Sequence, residues 1–168
     1  MVQNRAGHRC EYCGMSQALQ GATFHIEHIH PRTCGGESTP ENLALACPSC
    51  NLRKADRSHV VDPETGAQVH LSHPREHRWR GHFAWQGSLL LGLTPVGRMT
   101  AQAFDFNHPR RLHVREAEAM FGLFPPAEEA LPWQLRHALS QEALAKPTRS
   151  PTRVVIAQRS DGIPPGYC

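Results

Sequence analysis

The sequence predicts an α+β chain, with a small metal-stapled module at the N-terminus followed by a mainly helical C-terminal extension. Three observations carry that reading. Two Cys-x2-Cys pairs occur, Cys10 with Cys13 and Cys47 with Cys50; a strand, loop, strand, helix order runs between and just after them; and proline-started helices follow downstream. Four thiolates about 2.3 Å from one ion make a closed tetrahedral site, and two short Cys-x2-Cys turns deliver them. That points to a structural Zn2+. The 33 residues from 14 to 46 separate the pairs by more than the usual interval in such repeats, so a further structure must be folded between them.

Within the module, residues 1–58, the first knuckle is Arg9-Cys10-Glu11-Tyr12-Cys13-Gly14, whose glycine permits the positive φ of a tight thiolate turn. Thr23 to Ile29, rich in β-branched and aromatic residues, reads as a strand. The glycines and prolines of Pro31 to Pro40 mark a loop, and Leu43 to Ala46 a second short strand. Pro48 suits the first turn of a helix running to about Arg57, because a helix start has no use for the missing N–H.

Residues 59–146 read as a mixed strand and helix extension for substrate binding or docking. Asp62-Pro63-Glu64-Thr65-Gly66 is a turn signal beside a short strand from Gln68 to Leu71, and Trp79 to Leu91, broken at Gly87, reads as a hairpin. Thr94-Pro95 caps and starts a helix to about Phe104; Asn107-His108-Pro109 leads into another, Arg111 to Gly122; Pro125-Pro126 begins a third, with Leu131, Leu135, Ala138, Leu139 and Leu144 on one face. Residues 147–168, with Pro147, Pro151, Pro164 and Pro165, read as a flexible tail.

Composition bounds the function classes. No stretch approaches the roughly 20 apolar residues of a membrane span, so no membrane role is expected. No signal-like segment precedes Cys10, and the expectation is a cytoplasmic protein with reduced thiols rather than a disulfide framework. A net charge of +3 argues only weakly for a polyanion partner, but among 18 basic residues only Lys54 and Lys146 are lysine. Guanidinium groups suit bidentate phosphate contacts. His59, His70, His73, His77, His82, His108, His113 and His137 lack ligand spacing and read as surface or packing residues; Cys34 and Cys168 stand outside the metal set.

The segment between the knuckles carries the chemistry. Cutting a phosphodiester needs a nucleophilic water, a base for its proton, and positive charge near the phosphorane and the departing 3′ oxygen. His28 is the natural base, with an imidazole that titrates near neutrality. Glu27 is a hard oxygen ligand for catalytic Mg2+ or Mn2+, and Asn51 adds an amide oxygen one residue past Cys50. Adjacent strand residues point to opposite faces, so Glu27 and His28 share one phosphate only if the strand ends or bends there. Asn42 is expected to bridge the loop to the backbone near His28 and hold the ring. Arg53, Lys54 and Arg57 are candidates for phosphate contacts, although a solvated helix face reads the same way. Alone, Glu27-His28 would be an exposed charged pair; the cysteine frame changes that.

Together Cys10-Glu11-Tyr12-Cys13, Ile26-Glu27-His28-Ile29, Gly35-Gly36, Glu41-Asn42-Leu43, Cys47-Pro48-Ser49-Cys50-Asn51 and Lys54 resemble the HNH endonucleases, a branch of the ββα-metal nucleases, in the subgroup with a four-cysteine zinc. The resemblance implies a metal ligand at Glu27, a water-activating His28, an orienting Asn42, a second ligand to the same ion at Asn51 and structural zinc on the cysteines. It implies a one-metal endonuclease acting on DNA, with RNA left open, whose products carry 5′-phosphate and 3′-hydroxyl ends. Two other readings stay open: a non-catalytic zinc module that binds nucleic acid, and a nuclease subunit active only in a larger assembly, docked to a protein partner through the extension. The sequence leaves the oligomeric state unassigned.

Overall fold

The computed structural model describes residues 1–126. The expected third helix and the tail lie outside them. Among the described residues the order is α1 (Val2–Arg5), β1 (His25–His28), a 3-10 turn (Arg32–Cys34), β2 (Leu43–Ala46), α2 (Pro48–Lys54), β3 (His59–Val61) and β4 (Gln68–His70). Then come α3 (Trp79–His82), β5 (Phe83–Gln86), β6 (Leu89–Gly92), α4 (Pro95–Ala103) and α5 (Pro109–Met120). The strands form three antiparallel pairs: β1 with β2, β3 with β4, and β5 with β6. The α+β class stands, with hairpins and helices interleaved after residue 58.

Local chemistry explains the starts of the three longer helices, α2, α4 and α5. The Cys47 thiol accepts from Cys50 N at 3.4 Å, with Pro48 at the first position. Thr94 Oγ1 accepts from Gly97 N at 3.1 Å ahead of Pro95. His108 Nδ1 accepts from Arg110 N at 3.2 Å ahead of Pro109, so α5 begins two residues before the expected Arg111. These caps satisfy N–H groups that a helix start leaves without partners.

Several expected bounds differ. β1 covers only His25–His28 of the expected Thr23–Ile29, although Ile29 N still bonds Asn42 O at 2.8 Å. α2 ends at Lys54 rather than near Arg57, because Ala55 takes φ +46 and ψ −131 and turns the chain away. Trp79–His82 is a helical turn ahead of the hairpin rather than its first strand.

One hydrophobic core draws on both sides of residue 58. Tyr12, Phe24, Leu45 and the four cysteines from the N-terminal segment are buried in the same cluster as Phe83, Trp85, Leu90, Phe104 and Phe106. The Tyr12 ring stands edge-on to Phe104 at 5.1 Å, a favoured aromatic geometry. Polar ties cross the same seam: Trp79 Nε1 donates to Tyr12 O at 3.2 Å, and Arg9 Nη2 to Leu123 O at 2.8 Å.

Candidate functional site

The cysteine cluster comes first because it fixes where the other residues stand. Gly14 takes φ +70, as the knuckle requires, and Cys10 N bonds back to Met15 O at 2.9 Å. The sulfurs of Cys10, Cys13, Cys47 and Cys50 lie within 4.8 Å of one another, and Cys13 and Cys47 sulfurs are 3.9 Å apart. A tetrahedron with metal–sulfur bonds of about 2.3 Å has edges of about 3.8 Å, so the donor set fits a zinc-sized ion. All four thiols are buried and free of disulfides. Burial pushes the Cys10 and Cys50 thiols well up, while for Cys13 hydrogen bonds from the other three cysteines and the field of Arg111 outweigh burial and hold it well down. Thiols crowded in this way ionise together only around a cation.

Arg111, on α5, completes the centre. It is 5% exposed, and its Nη2 donates to Cys50 Sγ at 3.1 Å, while Nη1 donates to Phe104 O at 3.0 Å and Ser49 Oγ at 3.3 Å. Burial opposes its charge, yet the thiolates of Cys13, Cys50 and Cys47 keep the guanidinium above its ordinary value. Four thiolates around a dication carry two net negative charges, and Arg111 offsets one of them.

The second site opens on the face of β1 and α2. A depression of about 360 Å3 is lined by Glu27, His28, Asn51, Pro31, Arg32 and Asp56, among others. Glu27 and His28 share this depression although strand alternation opposes it. β1 ends at His28, and Glu27 runs inward beneath it, 7% exposed, to Tyr12 and Lys54. The Tyr12 hydroxyl donates to Glu27 Oε1, and Lys54 Nζ pairs with Oε2 at 3.1 Å. Burial pushes the Glu27 carboxyl up, against the pull of Lys54 and Tyr12. Each carboxylate oxygen accepts more than one bond, so Glu27 keeps capacity for a cation.

Asn42 sits where the loop closes. Its Oδ1 accepts from His30 N at 2.7 Å, and its Nδ2 donates to His30 O at 3.0 Å and Glu37 O at 2.8 Å. Gly36 has to lie against this junction, since a Cβ there would stand 1.9 Å from His30 O and 2.9 Å from Asn42 Nδ2. The bridge reaches the backbone two residues past His28. The His28 ring itself is held by Ser38, with Nε2 2.8 Å from Ser38 Oγ.

The basic residues of α2 and its exit are engaged within the protein. Lys54 is 2% exposed and donates to His28 O at 2.8 Å as well as pairing with Glu27, so it braces the site from behind. Arg53 pairs with Asp105 at 2.9 Å. Arg57 folds back on the end of α2, donating to Arg53 O and to Lys54 O, where it complements the exposed carbonyls.

Sequence reasoning missed Tyr12, Ser38 and Arg111. Tyr12 had a signal, since a residue inside a knuckle has its direction fixed by the two cysteines. Ser38 lies in a loop with no periodicity, and Arg111 lies 61 positions from Cys50.

The frame of four cysteines around this loop and helix decides the family comparison. Residues 10–57 match the HNH endonuclease family. The cysteine cluster lies within that stretch, as in the four-cysteine subgroup. No curated protein and no solved structure matches the chain. The HNH segment thus covers the candidate site, and Arg111 approaches it from outside. Among the described residues no helix is long and apolar enough to cross a membrane.

Proposed function

We propose that the protein is a metal-dependent endonuclease that hydrolyses DNA phosphodiester bonds in the cytoplasm, leaving 5′-phosphate and 3′-hydroxyl ends. The observation that carries this reading is the convergence of Glu27, His28 and Asn51 on one depression inside the matched HNH segment. RNA shares the same phosphodiester chemistry and is a second substrate to test.

His28 takes the proton from the attacking water. Ser38 fixes one ring nitrogen, leaving the other to act as base. Asn42 holds the strand exit and the loop in one arrangement, so His28 and Ser38 keep their spacing. Glu27 and Asn51 would hold a Mg2+ or Mn2+ ion, which when bound supplies positive charge to the phosphorane and the departing 3′ oxygen. Lys54 and Tyr12 hold the Glu27 carboxylate in place before substrate arrives. Zinc on Cys10, Cys13, Cys47 and Cys50 fixes the start of α2, and with it Asn51.

Supercoiled plasmid incubated with Mg2+ or Mn2+ tests this directly. Nicked or linear DNA whose ends accept polymerase extension and ligation is expected. An intact plasmid under every divalent ion, together with salt-dependent binding, would instead support the non-catalytic module.

A further inference from the structure

A second cavity lies beside the candidate catalytic depression. It is a cleft of about 840 Å3 between the HNH segment and the β3–β4 hairpin, and it gathers histidines that are scattered in sequence: His30, His59, His70, His73 and His77. We propose that this cleft binds a short single-stranded stretch of the nucleic acid cut at His28, an inference that rests on the nuclease reading above.

The two cavities are lined by neighbouring residues of the same two stretches of chain, β1 and its exit and α2 and its exit. Ile26, Glu27 and His28 line the depression, and the next residues, Ile29 and His30, line the cleft. On α2 and its exit, Asn51, Ala55 and Asp56 face the depression, while Lys54 and Arg57 line the cleft. At about 3.3 Å per residue, the step from His28 to His30 is about 7 Å. A strand lying on His28 therefore continues into the cleft along both elements.

The lining fits an unpaired polynucleotide. Arg57 retains guanidinium donors beyond the two that cap α2, and neutral imidazoles offer both donors and acceptors. Glu76 is the one carboxylate among the lining residues, and it already faces His73 Nε2 at 3.7 Å. Ile29, Val69, Leu71 and Val96 give the same cavity an apolar component. The His59 and His70 rings stand edge-on at 6.2 Å across the hairpin, ready to receive a base face. A duplex keeps its base faces inside the stack, so a concave surface with apolar and imidazole groups suits unstacked bases instead. Proteins take up ligands of roughly a nucleotide's size in cavities of about 300–1,000 Å3.

The test is fluorescence anisotropy of the full chain with labelled oligothymidine and with duplex DNA, Mg2+ and Mn2+ omitted so that nothing is cut, and with zinc content and melting temperature measured for each variant. The parent is expected to bind the single strand more tightly than the duplex. The double variant His59→Ala, His70→Ala should keep zinc and fold but bind oligothymidine roughly tenfold more weakly, and His70→Glu should weaken it further. His28→Ala should lose cleavage yet keep this affinity. Parental affinity in both hairpin variants overturns the proposal, as does loss of binding in Arg110→Glu instead, which would place the strand along α5. A parent that nicks plasmid while the hairpin variants bind normally defeats only the cleft; a parent that neither binds nor cuts defeats the nuclease reading as well.

Discussion

The cysteine centre and the His28 face share the segment 10–57, yet their construction is opposite. Cys10, Cys13, Cys47 and Cys50 are 0–3% exposed and are braced from outside the segment by Arg111. His28 is half-buried, Ser38 and His30 are exposed, and the hydrogen bonds that hold the His28 ring and tie Asn42 to His30 span only about a dozen residues. The difference teaches a division of labour. The cysteines and the aromatic core around them hold the shape, and the open face keeps groups available to water, ion and substrate. Lys54 and Tyr12 connect the two, since both are buried and both end on Glu27.

The largest effect is expected at the cysteines. Cys47→Ser should lose zinc and the fold of the described core together, because metal binding and folding are coupled in such sites. Metal analysis and far-UV circular dichroism read both. A folded, active Cys47→Ser protein without zinc would remove the basis of the comparison.

Arg111→Gln comes next. Removing one partner of a buried charge interaction costs roughly 3 kcal/mol, so a lower melting temperature and faster zinc release to a chromogenic chelator are expected. Arg111→Lys should recover part of the loss, as it restores charge without the planar fork. Unchanged zinc release in both variants would show that the extension does not brace the centre.

On the open face, Ser38→Ala should leave zinc and melting temperature near the parent while lowering kcat and displacing the pH–rate profile, because only the ring of His28 loses a partner. Equal losses in stability and rate would blur the distinction between the two regions.

The smallest effect concerns Glu118 on α5. It is fully buried, with Oε1 accepting from Ser16 N at 3.0 Å and Gln20 Nε2 at 3.1 Å, while Oε2 has no hydrogen-bond partner. Burial raises its carboxyl against those bonds and the nearby Arg9. The folded state therefore keeps a proton that the unfolded chain releases, and its stabilising contribution at acid pH is lost as pH rises through the raised value. Glu118→Gln should flatten that part of the stability profile in denaturant titrations; an identical slope in the variant counts against it.

How much was legible in sequence follows the same division. The knuckles, the order strand, loop, strand, helix, and the capped starts of α2 and α4 were readable because spacing and proline chemistry act locally. Asn42 was expected to bridge the loop to the backbone near His28 and hold its ring; its amide bonds the His30 backbone, while the ring bonds Ser38. What sequence hid is long-range or geometric. The reach of Arg111 depends on how α5 packs, the burial of Lys54 on Glu27 reverses an exposed-helix reading, and the turn at Ala55 ends α2 early. His59, His70, His73 and His77 lacked ligand spacing in sequence, and only the β3–β4 pairing and the chain after it bring them to one cleft.

The most direct test of the central claim is His28→Ala assayed for zinc content, melting temperature and plasmid nicking in one preparation. Bound zinc, a parental melting temperature and no nicking with Mg2+ or Mn2+ are expected. Nicking at the parental rate would contradict that claim.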